Sequence, residues 1–368
     1  MSWVLVTGGA GFIGANFLYC LRRQQPEAHI INLDLLTYAG NRDNLIGFEG
    51  DARYILVRGD VADQELVQDL FSRYPITEVV HFAAESHVDR SILDPGVFVR
   101  TNVVGTFTLL EAARRAWKDP AGAEARRFLH VSTDEVYGSL GPDDPPVTET
   151  APYAPRSPYA ASKASADFLV RAYFHTYRLP VLITNCSNNY GPYQFPEKLI
   201  PFSLSQALEG KPIPIYGQGA NIRDWIFVED HCRGLLQVLA QGRVGETYNI
   251  GGRQEVPNLE LVKRLLSLLE EMRPDLGELH RLITLVSDRP GHDWRYALNI
   301  DKIDRELGWR PQVGLEEGLR RTIAWYLGHQ DWLNRVRSQA YRSFLTEQYG
   351  AGVAGGGGPG EPLETPTP

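Results

Sequence analysis

The sequence predicts an α/β protein built on a doubly wound parallel sheet, followed by a smaller C-terminal α/β region. Three observations predict this fold class. A glycine turn joins a short apolar strand to an amphipathic helix at the N-terminus, apolar strands then alternate with helical segments up to Cys186, and beyond that residue prolines break the chain into short pieces. Such alternation is typical of parallel sheets with right-handed crossovers.

The first predicted strand, Trp3 to Thr7, leads directly into the glycine turn. Gly8, Gly11 and Gly14 have the spacing G-x-x-G-x-x-G, and an amphipathic helix follows them. Small residues let the backbone close on a pyrophosphate, and a helix N-terminus offers free amides and a favourable dipole. The alternative is a glycine-rich turn without a ligand, but a strand before it and a helix after it favour a Rossmann-type dinucleotide site.

The second predicted strand, His29 to Leu33, ends at Asp34. An acidic residue about 20 residues beyond the motif can accept hydrogen bonds from the adenosine ribose and repel a 2′-phosphate, which favours NAD over NADP. An Asp that caps a helix is the alternative. A third strand, Tyr54 to Val57, is predicted to place Asp60 and Val61 near the adenine.

The fourth predicted strand, Glu78 to Phe82, follows a helix over Gln64 to Arg73. It delivers a polar loop that ends at His87, which we interpret as a structural hydrogen-bonding residue rather than a catalytic base. A long helix is then predicted from Asp94-Pro95 to about Trp117.

The stretch richest in chemistry begins at a predicted buried strand, Phe128 to Val131. The carboxyl end of this strand delivers Ser132, Thr133, Asp134 and Glu135 to the edge at which open α/β sheets bind ligands. Downstream, Ser157-Pro158 is predicted to start a helix, because a hydroxyl caps the free amides and proline suits the first helical position.

Tyr159 and Lys163 then lie four residues apart on one face of that helix. A lysine ammonium beside a phenol is expected to lower the pKa of the phenol, so that the pair can take a proton from a sugar hydroxyl while a hydride leaves the same carbon. Taken alone, such a pair is more often a packed ring and a solvated lysine stem, so the neighbouring motifs carry the prediction.

A second region follows the strand Val181 to Cys186 and is rich in turns and prolines. Arginine suits a diphosphate there, because its guanidinium is planar and always charged. Each candidate ligand alone is more often a surface residue, and it is their grouping that favours a site. The candidates are Asn188, Lys198, Arg223, Asn258 as the cap of a helix that runs to about Glu271, Arg289, His292 and Tyr296.

Three domains are predicted. Residues 1–187 bind the dinucleotide, residues 188–349 mainly bind the substrate with some segments returning to the sheet, and residues 350–368 are a disordered Gly/Pro-rich tail. The last predicted helices cover Asp301 to Leu307, Gly314 to Tyr326 and Trp332 to about Glu347.

Bulk composition excludes several classes of protein. The chain has 368 residues and a net charge of −8, which allows a substantial core and disfavours nucleic acid or an anionic membrane as the main partner. No apolar run approaches a membrane span, and the N-terminus lacks a secretion-signal pattern. Three cysteines without C-x-x-C spacing indicate reduced buried thiols in the cytoplasm, and the nine histidines form no metal-ligand pattern, so we predict no metal.

Seven motifs resemble those of the extended short-chain dehydrogenases/reductases: GGAGFIG, HFAAESHVDRS, STDEVYG, YAASK, NCSNNYGPYQFPEKLIP, IYGQGANIRDW and DRPGHDWRYA. Within that group the chain is similar to the dTDP-glucose 4,6-dehydratases over roughly residues 1–350. Related epimerases and decarboxylases share the glycine turn and Tyr-x-x-x-Lys. They are not expected to carry the run Thr133-Asp134-Glu135, which is therefore the specific signal.

The resemblance implies a hydro-lyase that converts dTDP-glucose to dTDP-4-keto-6-deoxyglucose and water, with NAD bound throughout. Tyr159 would take the 4-hydroxyl proton as NAD takes the C4 hydride, and Glu135 would remove the C5 proton. Asp134, if protonated, would donate to the departing 6-hydroxyl before the hydride returns to C6. Adjacent carboxyl groups can act as acid and base if their environments separate their pKa values. Thr133 would bond the 4-oxygen, and Lys163 would orient the nicotinamide ribose.

The resemblance also implies contact residues and an assembly. Cofactor contacts are expected at Phe12, Ile13, Asp34, Leu35, Thr37, Asp60, Val61, Ala83, Ala84, Thr101, Tyr159, Lys163 and Asn189. Substrate contacts are expected at Ser86, Thr133, Asn188, Lys198, Leu199, Pro214, Tyr216, Arg223, Asn258, Arg289, His292 and Tyr296. Family members imply a homodimer, in which the helix bearing Tyr159 packs in a four-helix interface.

Two alternatives remain. The first is a 4,6-dehydratase or a 4-epimerase for a UDP-, CDP- or GDP-linked sugar, since the loops do not distinguish the bases. The second is a non-catalytic NAD-binding regulator with the same fold, which predicts the loss of at least one residue among Thr133, Asp134, Glu135, Tyr159 and Lys163. All five are present.

Overall fold

The computed structural model describes residues 2–119, 126–288 and 291–336. The strands within these ranges are β1 (Trp3–Thr7), β2 (His29–Asp34), β3 (Tyr54–Arg58), β4 (Glu78–His81), β5 (Arg127–Thr133), β6 (Val181–Cys186), β7 (Asn188–Tyr190), β8 (Ile213–Tyr216), β9 (Ile222–Phe227), β10 (Thr247–Ile250), β11 (Glu255–Pro257) and β12 (Ile283–Val286). The α-helices are α1 (Phe12–Gln24), α2 (Gln64–Arg73), α3 (Val88–Leu93), α4 (Pro95–Phe98), α5 (Gly105–Ala116), α6 (Pro158–Tyr177), α7 (Leu199–Leu208), α8 (Val228–Gln241), α9 (Asn258–Met272), α10 (Asp301–Leu307), α11 (Leu315–Gly328) and α12 (Gln330–Val336).

Seven parallel strands form the main sheet in the order β10-β6-β5-β4-β1-β2-β3. The order reverses between β1 and β4, so the carboxyl ends of these two strands border a crevice in which ligands bind to open α/β sheets. The predicted doubly wound parallel sheet is therefore confirmed.

The central strands are apolar because helices cover both faces of the sheet. Val4, Leu5 and Val6 of β1 are fully buried, which is typical of a strand inside a parallel sheet. On one face, α1 buries Phe17 and Leu18 in the same core. The apolar runs of the sequence therefore mark sheet strands.

The strand β5 extends two residues further than predicted. Its register with β6 continues through Ser132 to Thr133, which pairs with Cys186. Asp134 then opens one turn of 3-10 helix that ends at Tyr137. Ser132 and Thr133 are therefore fixed by the sheet, and Asp134 and Glu135 lie on the turn that leaves it.

Two helical predictions need correction. The helix α3 was not expected, and the long helix predicted from residue 94 contains a π-helical segment, Val99–Val104, between α4 and α5. Asn258 does not cap α9, because Pro257 occupies the N-cap position and no side chain caps that end. By contrast, Ser157 caps α6 as predicted, and its hydroxyl accepts a hydrogen bond from the Ala160 amide at 3.1 Å.

The region beyond β6 divides between the main sheet and a second core. β10 returns to pair with β6, while β11, β9 and β7 form a three-stranded sheet and β12 pairs with β8. Leu261, Leu265 and Leu319 belong to a separate apolar cluster beside these small sheets. The predicted continuation of the last helix to Glu347 and the predicted tail lie outside the described residues.

The cysteines agree with the prediction of buried thiols. Cys20, Cys186 and Cys232 are buried free thiols. Within the described ranges, no helix has the length and apolar character needed to cross a membrane.

Candidate active site

The glycine turn brings the backbone of β1 close to the loop after β4. Gly8 has φ +72°, and a Cβ there would lie 2.7 Å from the Ala83 nitrogen. A Cβ on Gly14 would lie 2.2 Å from the Gly8 oxygen. Gly11 is the N-cap of α1 and brings no capping side chain, so the first amides of the helix are not covered by one. The turn is thus a close-packed cradle suited to a pyrophosphate.

Asp34 closes one side of this turn. Its carboxylate accepts hydrogen bonds from the Ala10 amide at 2.9 Å and from the Leu36 amide at 2.8 Å. Burial raises the pKa of Asp34, and these backbone bonds oppose the rise. The side chain therefore has a fixed direction at the end of β2, rather than the helix-capping position that was the alternative.

A cleft of about 330 Å³ opens above the carboxyl ends of the strands. It is lined by every predicted cofactor residue, namely Gly8, Gly11, Phe12, Ile13, Gly14, Asp34, Leu35, Thr37, Asp60, Val61, Ala83, Ala84, Thr101, Tyr159, Lys163 and Asn189. The proposed catalytic residues Thr133, Asp134 and Glu135 line the same cleft, as do the predicted substrate residues Ser86, Asn188 and Lys198. One cavity thus brings together groups from opposite halves of the sequence.

The end of β5 places two carboxyl groups in unlike surroundings. The Thr133 hydroxyl accepts a bond from the Glu135 amide at 3.3 Å and donates to Asp134 Oδ1 at 3.2 Å. Asp134 is 4% exposed, and its Oδ2 has no hydrogen-bond partner among the described residues. Burial, followed by the charges of Glu135 and Asp224, raises the pKa of Asp134 well above its ordinary value. Its surroundings therefore favour the protonated form of Asp134, beside a half-buried Glu135.

Tyr159 and Lys163 project from α6 into the same cleft. The Lys163 ammonium donates to the Val131 backbone oxygen at 2.9 Å. Burial, followed by the charge of Glu135, raises the pKa of Tyr159 well above its usual value. In the protein alone the pKa of the phenol is therefore raised, not lowered as the sequence predicted, because burial and the charge of Glu135 outweigh the hydrogen bond with Thr133.

Side-chain bonds fix the loop after β4 at the rim of the cleft. Asn102, in the π-helical segment, accepts from the Glu85 amide at 2.8 Å and donates to the Glu85 oxygen at 3.0 Å. The Lys198 ammonium donates to the Ser86 oxygen at 3.1 Å. Two predicted substrate residues that are far apart in the sequence are therefore in direct contact.

The other predicted substrate residues include two pairs of side chains in contact. The first pair, Arg223 and Tyr296, lies near Asp134 and Glu135. The guanidinium of Arg223 lies 4.5 Å from the centre of the Tyr296 ring, and after burial the charge of Glu135 contributes most to raising the Tyr296 pKa. The rings of Tyr216 and His292 meet edge to face at 6.1 Å. Neither these two pairs nor Leu199, Pro214 and Asn258 line the described cleft, and Arg289 lies outside the described residues.

Sequence reasoning missed Glu197, which also lines the cleft. It is 9% exposed, and burial raises its pKa to about 7. The Tyr38 hydroxyl donates to it at 3.3 Å, and His87 Nε2 lies 3.9 Å from its other oxygen. The signal available in the sequence was its position next to Lys198, a predicted substrate residue. Its burial could not be predicted, because its neighbours Tyr38 and His87 are distant in the sequence.

His87 has the structural role that was predicted for it. Its Nδ1 accepts a hydrogen bond from the Arg90 amide at 3.4 Å, so the side chain caps α3. In the part of the chain that the structure describes, no group of His, Cys, Asp and Glu side chains could hold a metal ion.

Comparison with known proteins gives concordant matches over nearly the whole chain. Residues 5–322 match the family described as GDP-mannose 4,6 dehydratase. A curated dTDP-glucose 4,6-dehydratase from Xanthomonas campestris pv. campestris is 54% identical over 96% of this chain and 100% of its own length.

Solved structures give the same result. A dTDP-glucose 4,6-dehydratase from Streptomyces venezuelae, solved with NAD and TYD bound, aligns with a TM-score of 0.83 and 49% identity, covering 91% of this chain and 99% of that one. A UDP-glucose 4-epimerase from Thermotoga maritima aligns with a TM-score of 0.79 at 28% identity, over 89% of this chain and 99% of that one. Together with the cleft described above, these similarities show that the chain belongs to the dTDP-glucose 4,6-dehydratase family.

Proposed function

We propose that this chain is an NAD-dependent hydro-lyase that converts dTDP-glucose to dTDP-4-keto-6-deoxyglucose and water. The observation that carries the proposal is the pair Asp134 and Glu135, in which a buried acid with a raised pKa stands beside a half-buried carboxyl group on the wall of one cleft. Elimination of water needs an acid and a base at the same time, and this pair can supply both.

The residues of the cleft fit NAD. The glycine cradle and the start of α1 would hold the pyrophosphate, and Asp34 would accept bonds from the adenosine ribose and repel a 2′-phosphate. When bound, NAD supplies reversible hydride acceptance, which would oxidise C4 and later reduce C6. Lys163, held at the Val131 oxygen, is placed beside the cleft to orient the nicotinamide ribose.

Tyr159 would act first, when its phenolate oxygen takes the proton of the 4-hydroxyl and becomes a neutral phenol. It lines the cleft beside Thr133, whose contact opposes the rise in the pKa of the phenol. Thr133 would also hydrogen-bond the 4-oxygen. Its position is well defined, because it ends a strand and bonds to both acids of the run.

Glu135 and Asp134 would then carry out the elimination. A 4-keto group acidifies the hydrogen at C5, so that Glu135 can remove it as a base and return a proton to the same carbon at the end. The raised pKa of Asp134 favours its protonated form, which would give its proton to the departing 6-hydroxyl.

The substrate assignment is supported by the relatives. The Xanthomonas protein is named a dTDP-glucose 4,6-dehydratase, and the Streptomyces structure bears that name and contains NAD and TYD. We propose that Lys198, Asn188 and Arg223 bind the sugar nucleotide, together with Tyr296 and His292. In this proposal residues 1–187 mainly hold NAD, and residues 188–349 mainly hold the sugar nucleotide.

A substrate panel tests the function. Purified protein is incubated with dTDP-, UDP-, CDP- and GDP-hexoses, and the base-sensitive absorbance of a 4-keto product is followed along with the product mass. We expect the highest kcat/KM with dTDP-glucose and a product lighter by one water. A 4-epimer of unchanged mass would contradict the roles of Asp134 and Glu135, and a preference for another base would contradict the thymidine assignment.

We further propose a cytoplasmic homodimer in which α6 and α5 contribute to a four-helix interface. Apolar side chains on these helices are exposed in the single chain, with Phe168 at 55% and Phe107 at 37%. Burial of such side chains between two copies would be favourable. Three buried free thiols suit a reducing compartment.

Analytical ultracentrifugation tests the interface. The wild-type protein should sediment as a dimer, and Phe168→Glu should shift it towards the monomer, because the substitution would place a charge in an apolar contact. The exposed Glu65→Gln on α2 is a control that should leave the dimer unchanged. A monomeric wild type would contradict the proposal.

A further inference from the structure

We propose that Asp167, which lies on α6 one helical turn after Lys163, is a positioning residue that fixes the end of β5 against α6 and provides a negative charge near Lys163. The inference rests on the proposed function in one respect, namely that the reaction uses Lys163 and the Thr133-Asp134-Glu135 run. Asp167 itself does not line the cleft in the described residues.

The carboxylate of Asp167 is fully buried and has specific partners. Its exposure is 0%, and its Oδ2 accepts hydrogen bonds from the Ser132 hydroxyl at 2.9 Å and from the Tyr153 hydroxyl at 2.8 Å. Its Oδ1 lies 3.1 Å from His130 Nε2. A buried carboxylate is costly unless it is hydrogen-bonded and balanced by a cation, so this arrangement needs an explanation.

The two side chains on α6 hold successive residues of β5. The Lys163 ammonium donates to the Val131 oxygen at 2.9 Å, and one helical turn later Asp167 accepts from the Ser132 hydroxyl at 2.9 Å. Thr133 follows directly, and Tyr159 lies one turn before Lys163 on the same helix. The pair therefore sets the position of the Thr133-Asp134-Glu135 run relative to Tyr159, where misplacement by about 1 Å can cost 100-fold in rate.

Asp167 also provides the charge that opposes the desolvation of Lys163. Lys163 is 4% exposed, and burial lowers its pKa, while Asp167 makes the largest opposing contribution. His130 does not neutralise the carboxylate, because burial and Lys163 hold the pKa of His130 at about 4. Arg171 donates to the Tyr153 hydroxyl at 2.9 Å, which places Tyr153 between that cation and Asp167.

The titratable groups around this pair come from several elements. Those that face Asp167 or Lys163 are His81 on β4, His130 on β5, Tyr137 on the turn after β5, Tyr153 before α6, Arg171 on α6 and Cys186 on β6. Burial lowers the pKa of both histidines, and burial raises the pKa of Tyr137, Tyr153 and Cys186. These shifts favour the neutral form of all five groups, and Asp167 is the acidic residue closest in the chain to Lys163.

The pH profile of Asp167→Asn tests the charge. Asparagine keeps the shape of the side chain but removes the charge that raises the Lys163 pKa, so Lys163 should deprotonate at lower pH. We expect the alkaline limb of kcat to move down by about 1 pH unit or more, in protein that is folded and retains NAD at the assay temperature. Tyr153→Phe keeps the carboxylate and should leave this limb within a few tenths of a unit of its position. An unmoved limb in folded, NAD-loaded Asp167→Asn would overturn the charge role.

Ser132→Ala tests the contact with β5. It removes the hydroxyl that Asp167 holds and preserves both charges. We expect a tenfold or larger fall in kcat with little change in KM and no shift of the alkaline limb. A kcat equal to that of the wild type would overturn the positioning role.

A measurement without turnover separates this inference from the proposed function. Unfolding temperatures at saturating NAD are compared for the wild type, Asp167→Asn, Lys163→Met and the double variant. If the two charges balance one another, Asp167→Asn should lower the unfolding temperature less in the Lys163→Met background than in the wild type. If Asp167→Asn alone does not fold, recovery of folding in the double variant supports the pairing. The pairing is overturned if Asp167→Asn lowers the unfolding temperature equally in both backgrounds, or if the double variant also fails to fold. Either result holds whether or not dTDP-glucose is the substrate.

Discussion

Asp134 and Glu135 are consecutive residues whose carboxyl groups occupy different environments. Asp134 is 4% exposed and burial raises its pKa, whereas Glu135 is half-buried, and both line the same cleft. The difference arises at the end of β5, where Thr133 is still paired with β6 and Asp134 and Glu135 lie on the 3-10 turn that follows. The pair can therefore give one proton and take another.

Glu135→Gln should separate oxidation of C4 from elimination. Glutamine keeps the size of the side chain but cannot accept the C5 proton, so turnover should fall by about 10²–10⁴-fold. NADH absorbance after addition of dTDP-glucose should still appear, while exchange of the C5 hydrogen with solvent deuterium should stop. Exchange at the normal rate would remove Glu135 from the role of base. The exposed Glu65→Gln is the matched control.

Asp134→Asn should slow loss of the 6-hydroxyl and change the pH dependence of stability. The folded pKa of Asp134 is raised, so above about pH 4 the folded state holds a proton that the unfolded state releases. Wild-type stability is therefore lowered as pH rises from about 4 towards the folded pKa, and asparagine removes that loss. Relative to the wild type, the variant should gain free energy of unfolding between pH 4 and pH 7.5, by about 1.4 kcal/mol for each unit by which the folded pKa exceeds the unfolded one within this range.

Urea unfolding at the two pH values measures this gain, and any fixed cost of the buried amide cancels in the comparison. If the free energies of unfolding of variant and wild type differed by the same amount at both pH values, Asp134 would already be ionised in the folded protein. Full dehydratase activity in the variant would exclude Asp134 as the acid.

Local signals in the sequence predict the parts of the site that are set within one strand, turn or helix. The apolar run before Ser132, the cap at Ser157-Pro158 and the glycine spacing each determine a structure within a few residues, and the structure agrees with each of them. For the same reason the sequence predicts the first six strands of the main sheet with errors of only one or two residues at their ends.

Interactions between distant residues are not available from local signals. The burial of Glu197 depends on Tyr38 and His87, and the partners of Asp167 lie on β5 and in the loop before α6. Asn258 shows how a local rule can mislead. Asparagine favours an N-cap, but Pro257 with φ −60° and ψ 142° already occupies that position.

Tyr159→Phe should impair the first oxidation and leave the cofactor site intact. The ring can keep its contact with Phe98, whose centroid lies 6.3 Å away, while the proton acceptor for the 4-hydroxyl is lost. Formation of NADH in a single turnover should slow by about 10²–10⁴-fold at unchanged NAD content. Tyr177→Phe, at an exposed position of the same helix, controls for loss of a phenol. A wild-type rate in Tyr159→Phe would assign the proton transfer to another group.

Gly14→Ala should weaken NAD binding through a backbone displacement. Alanine favours a helix over glycine by about 1 kcal/mol, so propensity alone would stabilise the variant. At residue 14, however, the new Cβ would lie 2.2 Å from the Gly8 oxygen and 2.8 Å from the Gly9 Cα, and the glycine turn must move to admit it. We expect a loss of about 1–3 kcal/mol in free energy of unfolding and at least a tenfold fall in NAD retained after gel filtration.

Gly328→Ala is the matched control for this substitution, because it also lies in a helix and a Cβ there meets no atom within 4 Å. The Gly328→Ala variant should retain NAD after gel filtration and have the free energy of unfolding of the wild type. If Gly14→Ala retained NAD like this control, the close approach of Gly8 and Gly14 would be a packing feature of α1. The pyrophosphate would then have to be held by another part of the cleft, because only a turn that contacts the dinucleotide transmits its displacement to binding.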